Sequence, residues 1–568
     1  MAESEFEVVW PLGRVVPDLE TFPARLDDLS GRVVGELWNR LYEGDRAFPL
    51  IRDELERRYP GVRFVGWETF GDFMQGEPVT SRLPELLREH GVQAVIAGVG
   101  HCGSCTPATV NAALASEAAG VPAVSLVGSL FEPLAHASGR LHGVEELPLA
   151  VYPGRIPVDS EDEFERKVRS TIVDQVVAGL TGRPPRLANG ATEPVQREIV
   201  FAGTLDEVAD TFYERGWTDG LPIVPPTLDR VEAFLAHTGR DPGEVLGVLP
   251  PERREATVWN VAVNGVLAGC RPAHMPVLLA VVEAIADKEF RLETAGSGPG
   301  WEPLIILSGP AIGELGFNAG GGVLRVGRRA NTSVGRFLRL VMRNLAGLRI
   351  SSGPEDVTNA DRAGIGTSFN VVLAEDEELL RELGWPTYGE DRGVPRGQSA
   401  VTVRSVVAES PPFGEYGCSP DDPASYLQPL VDVFGKAMSG YWLFVGLAFG
   451  RSHPLVVISP HVAGVLHANG WTKSDVRRHL YENAWIAAGP VERMGEYMNI
   501  DVAALAASGS IPALYAESSD PTRLIPAFMR PEWIDIVVAG SRDFYYQRGY
   551  MNYQAHGAPV TKLLESWS

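Results

Sequence analysis

The stretch AVIAGVGHCGSCTPATV, residues 94–110, determines the fold expected of the N-terminal part of the chain. Its apolar run predicts a buried strand that ends in glycines. The Thr-Pro pair after the second cysteine is typical of a helix N-cap followed by proline at the first helical position. We therefore predict a strand, a tight turn containing Cys102 and Cys105, and a helix over 107–119. In an open α/β sheet, ligands bind at this carboxyl edge of the strands.

The residues around this stretch alternate between short apolar runs and segments of helical spacing. The candidate strands are 32–37, 62–67, 93–98, 122–127 and 147–152. The candidate helices are 45–59, 83–91, 106–120 and 161–180. Short buried strands that alternate with helices indicate a parallel sheet covered on both faces. The sequence thus predicts an α/β fold whose N-terminal domain is a parallel sheet of Rossmann or flavodoxin-like type.

A change of composition predicts a domain boundary. Residues 181–200 are rich in Pro, Gly, Asn and Thr, which is typical of a linker, and we place the linker at 186–200. We expect an α/β thiol domain over residues 1–185 and a larger domain over residues 201–568.

The larger domain contains a weak internal repeat. PLIILSGPAIGELGFNAG at 303–320 resembles PLVVISPHVAGVLHANGW at 454–471. Each copy is predicted as a strand, a turn and a short helix, followed by a longer helix over 331–346 or 473–486. A duplicated unit of this kind predicts an α/β or α+β domain. Chance similarity between two buried strands is the alternative.

Composition narrows the class of protein. The chain has 568 residues, of which 45% are hydrophobic, and a formal net charge of −23. This charge disfavours nucleic acid or an anionic membrane surface as the main partner. The acidic start MAESEFEVVW does not resemble a secretory signal, and no apolar run of about 18 residues predicts a membrane span. We expect a cytoplasmic homo-oligomer with reduced thiols that acts on a small molecule.

The placement of the two thiols predicts their chemistry. A helix N-terminus favours an anion, so a thiolate is favoured there and its reactivity should rise. The spacing lets a disulfide close, so one thiolate can attack and the other can resolve the adduct. Exposure favours Cys102 as the attacking group and Cys105 as its partner, but spacing alone leaves the order open. The other candidates of this turn are His101 and Thr106 for catalysis, and Gly103 and Ser104 for substrate contact.

The pair has two other interpretations. CxxC is half of many zinc sites, but there is no second CxxC, and Cys270 and Cys418 are isolated. We therefore predict no metal site. The second alternative is a pair of buried structural thiols.

The larger domain supplies further candidates for substrate binding. Asp219 lies in the proline-rich stretch GWTDGLPIVPPT. A plain structural loop is the alternative interpretation of this stretch. Arg328, Arg329 and Asn331 follow a run of glycines and precede a helix, where they are expected to bind a carboxylate or phosphate. A solvated basic helix face is the alternative for these three.

The reserve candidates are Cys270 and His274, although a lone cysteine in an apolar stretch is more often part of a core. There is no dinucleotide fingerprint and no P-loop. The sequence indicates no cofactor clearly, and the one candidate is a low-molecular-weight thiol.

The motif GVGHCGSCT, followed by AALASEAAGVPAVSLVGSLF, resembles the UGSC-type selenoprotein family. In that family a strand ends in Gly-Val-Gly and selenocysteine-Gly-Ser-Cys-Thr follows. The resemblance spans roughly residues 60–155 and describes a cysteine-containing homologue with an extended C-terminal region. It implies that Cys102 stands in the selenocysteine place and does nucleophilic or redox work. His101 stands where relatives often carry an acid. The strand–Cys–Thr–helix order is also similar to the aspartate/glutamate racemase fold.

These observations predict a thiol-dependent enzyme. Cys102, assisted by Cys105, would perform redox or addition–elimination chemistry at a C–S bond of a small, anionic molecule, with the larger domain closing over the site. A racemase- or lyase-like enzyme that uses a thiol for proton transfer is one alternative. A sulfur carrier or redox-sensing binding protein without turnover is the other.

Overall fold

A computed structural model describes residues 4–565, except 18, 20, 76, 188–192, 296–299, 351–367, 413–416, 441–442, 444–445, 448–449, 498–499 and 553–556. None of the helices in these ranges combines the length and the apolar character needed to cross a bilayer.

A five-stranded parallel sheet follows a short first strand, β1 (Phe6–Val9). Its strands are β2 (Val33–Trp38), β3 (Arg63–Val65), β4 (Ala94–Gly100), β5 (Ala123–Gly128) and β6 (Leu149–Tyr152). Their order is β3-β2-β4-β5-β6, with all neighbours parallel. This is the flavodoxin-like order, in which the topological switch point lies between the first and third strands of the sheet, here β2 and β4. The prediction of a parallel α/β sheet from five apolar runs is confirmed.

Helices cover both faces of this sheet. They are α1 (Gly44–Arg58), α2 (Glu77–Thr80), α3 (Leu83–Glu89), α4 (Cys105–Ala118), α5 (Glu132–Leu141), α6 (Glu161–Lys167) and α7 (Val173–Thr181). Successive residues of β4 point to opposite faces, as in any strand. Ile96 packs in a cluster with Phe48 of α1 and Val176 of α7. Val95 packs in a second cluster with Leu87 of α3 and Ala112 of α4.

The helix after β4 begins earlier than the sequence predicts. The predicted start at residue 107, with Thr106 as N-cap, is wrong, because α4 begins at Cys105 and follows Ser104. The reason is that the Thr106 N–H bonds to the carbonyl oxygen of Cys102 at 3.2 Å, which winds the first turn earlier. Both ends of the CxxC motif therefore belong to the helix start.

The N-terminal arm lies on the larger part of the chain. Strand β1 pairs antiparallel with β7 (Ile199–Gly203). Further along the arm, the side-chain amides of Asn260 and Asn264 donate to the carbonyl oxygens of Leu12 and Pro11, each at 3.0 Å. The boundary prediction assigned this arm to the domain over residues 1–185, but β1 pairs with β7, which begins at the end of the predicted linker.

The rest of the larger region is a mixture of strands and helices. Its strands are β8 (Val245–Leu249), β9 (Arg254–Thr257), β10 (Glu302–Ser308), β11 (Leu373–Ala374), β12 (Ala400–Val406), β13 (Ala408–Glu409), β14 (Leu455–Ile458), β15 (Trp485–Ala487), β16 (Leu524–Pro526), β17 (Asp535–Val538), β18 (Arg548–Met551) and β19 (Val560–Leu563). Its helices are α8 (Leu205–Glu214), α9 (Leu228–Leu235), α10 (Val258–Leu267), α11 (Met275–Ala286), α12 (Ala311–Glu314), α13 (Arg329–Asn344), α14 (Glu377–Leu383), α15 (Tyr388–Asp391), α16 (Pro460–Ala468), α17 (Lys473–Asn483), α18 (Gly489–Tyr497) and α19 (Val502–Ala507).

Two four-stranded sheets repeat one topology. In the first, β10 lies between the parallel β11 and the antiparallel β12. In the second, β14 lies between the parallel β17 and the antiparallel β18. The fourth strands are exchanged: β13 follows β12 but pairs with β18, and β19 follows β18 but pairs with β12. The topology therefore supports the internal duplication predicted from the sequence repeat.

These sheets form the middle of four layers. Leu304 of β10 and Leu455 of β14 share one buried cluster between the two sheets. The opposite face of the first sheet packs on α10, α11 and α13, and that of the second packs on α16 and α17. Between the sheets, the buried Arg404 guanidinium donates to the Asp535 carboxylate at 2.9 Å.

Candidate functional site

The dithiol turn lies at the switch point of the N-terminal sheet. It follows β4, beside the turn that follows β2. Asn39 in that second turn is 1% exposed, and its side chain donates to the Val99 carbonyl oxygen at 2.9 Å and accepts the Val99 N–H at 3.1 Å. The two strand ends are thereby tied together, and the crevice where open α/β sheets bind ligands contains the thiols.

The two sulfurs of the motif meet at the start of α4. They lie at disulfide-bonding distance, with Cα atoms 5.3 Å apart. The Cys105 N–H donates to the Cys102 sulfur at 3.0 Å, and the Ser104 Oγ lies 3.5 Å from the same sulfur. Cys102 is half-buried, whereas Cys105 has no exposed surface. One sulfur is thus accessible and receives the helix N–H, and the other is held behind it.

His101 is enclosed by aromatic rings beside the thiols. Its ring centroid lies 5.3 Å from those of Tyr42 and Phe131. Burial, and then the positive charge of Arg155, lower the pKa of His101, so the ring is held neutral. The residue is 9% exposed, and its Nδ1 has no hydrogen-bond partner among the described residues. The residue before Cys102 is therefore a neutral imidazole that packs between the turns after β2 and β5.

Two hydroxyls of α4 are also buried without partners in the described part of the chain. They belong to Thr106 and Thr109, which are both fully buried. A Cβ atom on Gly100 would lie 3.1 Å from the Thr106 Oγ1, so the glycine at the end of β4 makes room for this side chain. Thr106 thus packs inside the turn rather than capping its helix.

A cleft of about 520 Å³ separates the start of α4 from the larger region. Ser104 and Met74 line it from the thiol side, and Arg253, Lys288 and Arg291 line it from the other. The Arg291 guanidinium donates to the Met74 carbonyl oxygen at 3.4 Å, so the larger region contacts the segment that packs beside Cys102. Asp287 and Glu293 also line the cleft, and Arg291 pairs with Glu293. The cations of the cleft thus exceed its carboxylates by one, which favours an anionic group.

The nearby carboxyl group of Asp72 is also affected by this interface. Burial raises its pKa to about 6, although the charges of Arg40 and Arg291 and a hydrogen bond from the Met74 N–H act in the opposite direction. A carboxyl group close to the cleft therefore titrates near neutral pH.

The predicted substrate residues of the larger region do not line this cleft. Asp219 accepts two hydrogen bonds from Arg336, at 2.9 and 2.8 Å. Arg329 donates to the Gly269 carbonyl oxygen, and Arg328 is exposed at the start of α13. Asn331 is buried, and its amide bonds to the backbone carbonyls of residues 318 and 372. The structure does not bring these residues to the dithiol.

The reserve candidates lie in the core of the larger region. Burial raises the pKa of Cys270 to about 12 and lowers that of His274 to about 4. The His274 Nδ1 accepts the Arg271 N–H at 3.3 Å. A thiol and an imidazole held neutral in this way serve packing. Within the described ranges, no group of three His, Cys, Asp or Glu side chains could hold a metal ion.

Sequence reasoning missed the residues of other turns that act on Val99 and His101, next to the thiols in the sequence. Asn39 and Tyr42 follow β2, Phe131 follows β5 and Arg155 follows β6. Each stands a few residues after a predicted strand. The rule that the carboxyl ends of parallel strands share one edge would have found them.

The fold and the turn define a flavodoxin-like α/β domain with a dithiol at its topological switch point. The model of the UGSC family matches residues 7–182. The match covers about the first third of the chain, and the four-layer region lies beyond the matched residues. No curated protein and no solved structure matches the chain.

Proposed function

We propose that the chain is a thiol-dependent oxidoreductase that reduces a disulfide, or an equivalent sulfur bond, of a small anionic molecule. The observation that carries this proposal is the pairing of two sulfurs at disulfide-bonding distance, with the accessible one receiving the N–H at the start of α4. A hydrogen bond and a helix N-terminus both favour the thiolate, which is the attacking species.

The cycle has two sulfur exchanges. The Cys102 thiolate attacks one sulfur of the substrate disulfide, forms a mixed disulfide and releases the first thiolate. The Cys105 thiol then loses its proton to the released thiolate or to solvent and attacks the Cys102 sulfur. The second thiolate leaves as the internal disulfide forms. The substrate has gained two electrons and the protein has lost two. A low-molecular-weight thiol then reduces the internal disulfide and returns the two electrons to the protein.

The same geometry argues against proton transfer by the two thiols together. A racemase that uses two thiols needs them on opposite sides of a substrate carbon. Two sulfurs close enough to bond leave no room for a carbon between them. The arrangement therefore argues against a racemase that uses both thiols, whereas proton transfer by a single thiol stays the alternative.

The surroundings support an anionic substrate and a reducing compartment. The cations Arg253, Lys288 and Arg291 line the cleft that begins at Ser104. A volume of about 520 Å³ lies within the range of small-molecule sites. A pair that begins its cycle as dithiol needs a reducing environment, for which we propose the cytoplasm.

Thiolate release from dithiobis(nitrobenzoate), an anionic aryl disulfide, tests the proposal. Reduced wild-type protein should release two thiolates in a fast burst and end with the internal disulfide. Cys105→Ser should release one and keep the other group on Cys102, as mass spectrometry would show. Cys102→Ser should lose the burst, whereas Cys418→Ser, a matched control, should keep it.

Turnover distinguishes an enzyme from a reagent. With excess monothiol and a small anionic alkyl disulfide, the wild type should cycle many times and Cys102→Ser should not. A fast burst in Cys102→Ser, or full release of both groups by Cys105→Ser, would refute the assignment of roles.

A further inference from the structure

A second pocket, in the larger region, lies at the carboxyl ends of two parallel strands. It has a volume of about 480 Å³ and opens where β10 and β11 end. Ser308 is the last residue of β10, and Glu377 begins α14 just after β11. This is the same kind of sheet edge that contains the dithiol in the N-terminal domain, but it lies in a different sheet.

Acidic side chains dominate the walls of this pocket. Five carboxylates line it, against two guanidinium groups; they are Glu375, Asp376, Glu377, Glu378 and Glu390, with Arg381 and Arg396. Some of these charges are already compensated elsewhere. Glu375 pairs with the buried ammonium of Lys473 at 3.5 Å, and Asp376 forms a bidentate pair with Arg542.

Glu377 holds a different position. Its carboxylate accepts the Gly309 N–H at 2.6 Å, which places it beside the end of β10. Burial raises its pKa to about 6, with the charges of Glu375 and Glu390 acting in the same direction and that of Arg381 opposing them. Within the described part of the chain, this half-buried carboxylate forms no ion pair, and Arg381 acts on it only at longer range. A bound cation would therefore stabilise its charge.

The hydroxyl of Ser308 is the independent sign of a ligand. Ser308 is 3% exposed, and its Oγ has no hydrogen-bond partner among the described residues. A buried hydroxyl without a partner costs free energy, and such groups are rare in folded proteins. Ser308 lines the pocket and immediately precedes Gly309, whose N–H binds Glu377.

We propose that this pocket binds a small organic cation that carries a primary amine. The ammonium would donate hydrogen bonds to the Ser308 hydroxyl and to the Glu377 carboxylate. A metal ion fits less well, because no group of three potential ligands converges within the ranges that the structure describes. An ammonium group needs only well-placed acceptors and opposite charge.

Calorimetric titration of the full chain tests this site. The probes are ethylamine, diaminobutane and phenylethylamine, with butanediol as the neutral counterpart of the diamine. At least one amine should bind with a stoichiometry of one, and butanediol should not bind. Ser308→Ala and Glu377→Gln should each weaken binding about tenfold or more, since each removes a hydrogen bond to a charged group.

Glu382→Gln is the matched control, because Glu382 is exposed on the same helix and does not line the pocket. It removes the same charge and should leave affinity unchanged within about twofold. Melting curves of each variant verify that the fold is retained, and the disulfide burst should be unaffected in all of them.

The pH dependence gives a second readout. Affinity should fall as the pH drops through about 6, because Glu377 then takes up a proton. Failure of all three amines to bind would overturn the proposal. Equal weakening by Glu382→Gln and Glu377→Gln would also overturn it, because the amines would then be following the overall charge of −23.

Discussion

The backbone N–H of Cys105 points at the sulfur of Cys102, with the nitrogen 3.0 Å from the sulfur. The first residue of α4 thus stabilises a charge on the accessible member of the pair. The pair therefore has unequal members, because Cys105 is fully buried and provides the N–H, while Cys102 is half-buried and receives it. This asymmetry supports the proposed order of attack, which the CxxC spacing alone left open.

The thiols should differ in reactivity when the reduced protein is alkylated. Cys102 should react fastest. Its alkylation rate should reach half of the maximum at a pH below the ordinary thiol pKa of about 8.5. Cys105 should be slow because it is buried, and Cys270 inert because burial raises its pKa to about 12. Peptide mass spectrometry over a pH series measures all sites at once, with Cys418 as the internal control. Faster labelling of Cys270 than of Cys102 would contradict the assignment.

Asn39→Ala should destabilise the domain. The substitution leaves the N–H and carbonyl of Val99 without their side-chain partner, at a cost of about 2–4 kcal/mol for two buried groups. Urea unfolding measures the change. Asn483→Ala removes an exposed amide from α17 and should cost less than about 0.5 kcal/mol. Equal effects of the two variants would mean that the switch-point turn is held by other contacts.

Gly128→Ala should act through His101. A Cβ atom at residue 128 would lie 2.0 Å from the His101 Nδ1, although the local backbone, with φ −75° and ψ 146°, suits any residue. We expect a loss of about 1–3 kcal/mol from overpacking. Gly239→Ala is the control, because nothing lies within 4 Å of the added atom.

A double variant identifies the cause of this loss. His101→Ala removes the ring that the new methyl group meets, so Gly128→Ala should cost little in that background. A full additional loss in the double variant would show that another contact is responsible.

Acid should weaken the larger region through His274. Its folded pKa is about 4, against 6.5 for an ordinary histidine, so the unfolded chain takes up the proton first as the pH falls. The contribution of His274 to the free energy of unfolding is complete above about pH 6.5. It is lost as the pH drops toward 4, and the loss amounts to at most about 3 kcal/mol.

Melting temperatures between pH 7.5 and 4.5 measure this loss. His274→Asn keeps an acceptor for the Arg271 N–H and should flatten the slope, whereas His90→Asn, at an exposed position, should follow the wild type. Part of the slope should persist because burial also lowers the pKa of His453 to about 4. An unchanged slope in His274→Asn would exclude His274 as the source.

Local sequence was sufficient to predict the class of the N-terminal fold and the place of its two paired cysteines. Apolar runs of strand length alternate with segments of helical spacing. That pattern predicts a parallel sheet, because both faces of such a sheet must be buried. The glycines after 94–97 and the Cys-Gly-Ser-Cys turn likewise follow from local chemistry. The repeat at 303–320 and 454–471 predicted a duplication that the strand topology supports.

Which residues come into contact depends on the tertiary structure. Asn39, His101 and Phe131 come from three different turns, and their meeting depends on strand order, which local sequence does not encode. Arg329 and Asn331 looked like ligands by composition, yet the fold uses their side chains to bind backbone carbonyls. Charge and hydrogen-bonding capacity are properties of a residue, but whether they serve packing or a ligand depends on what the folded chain places opposite them.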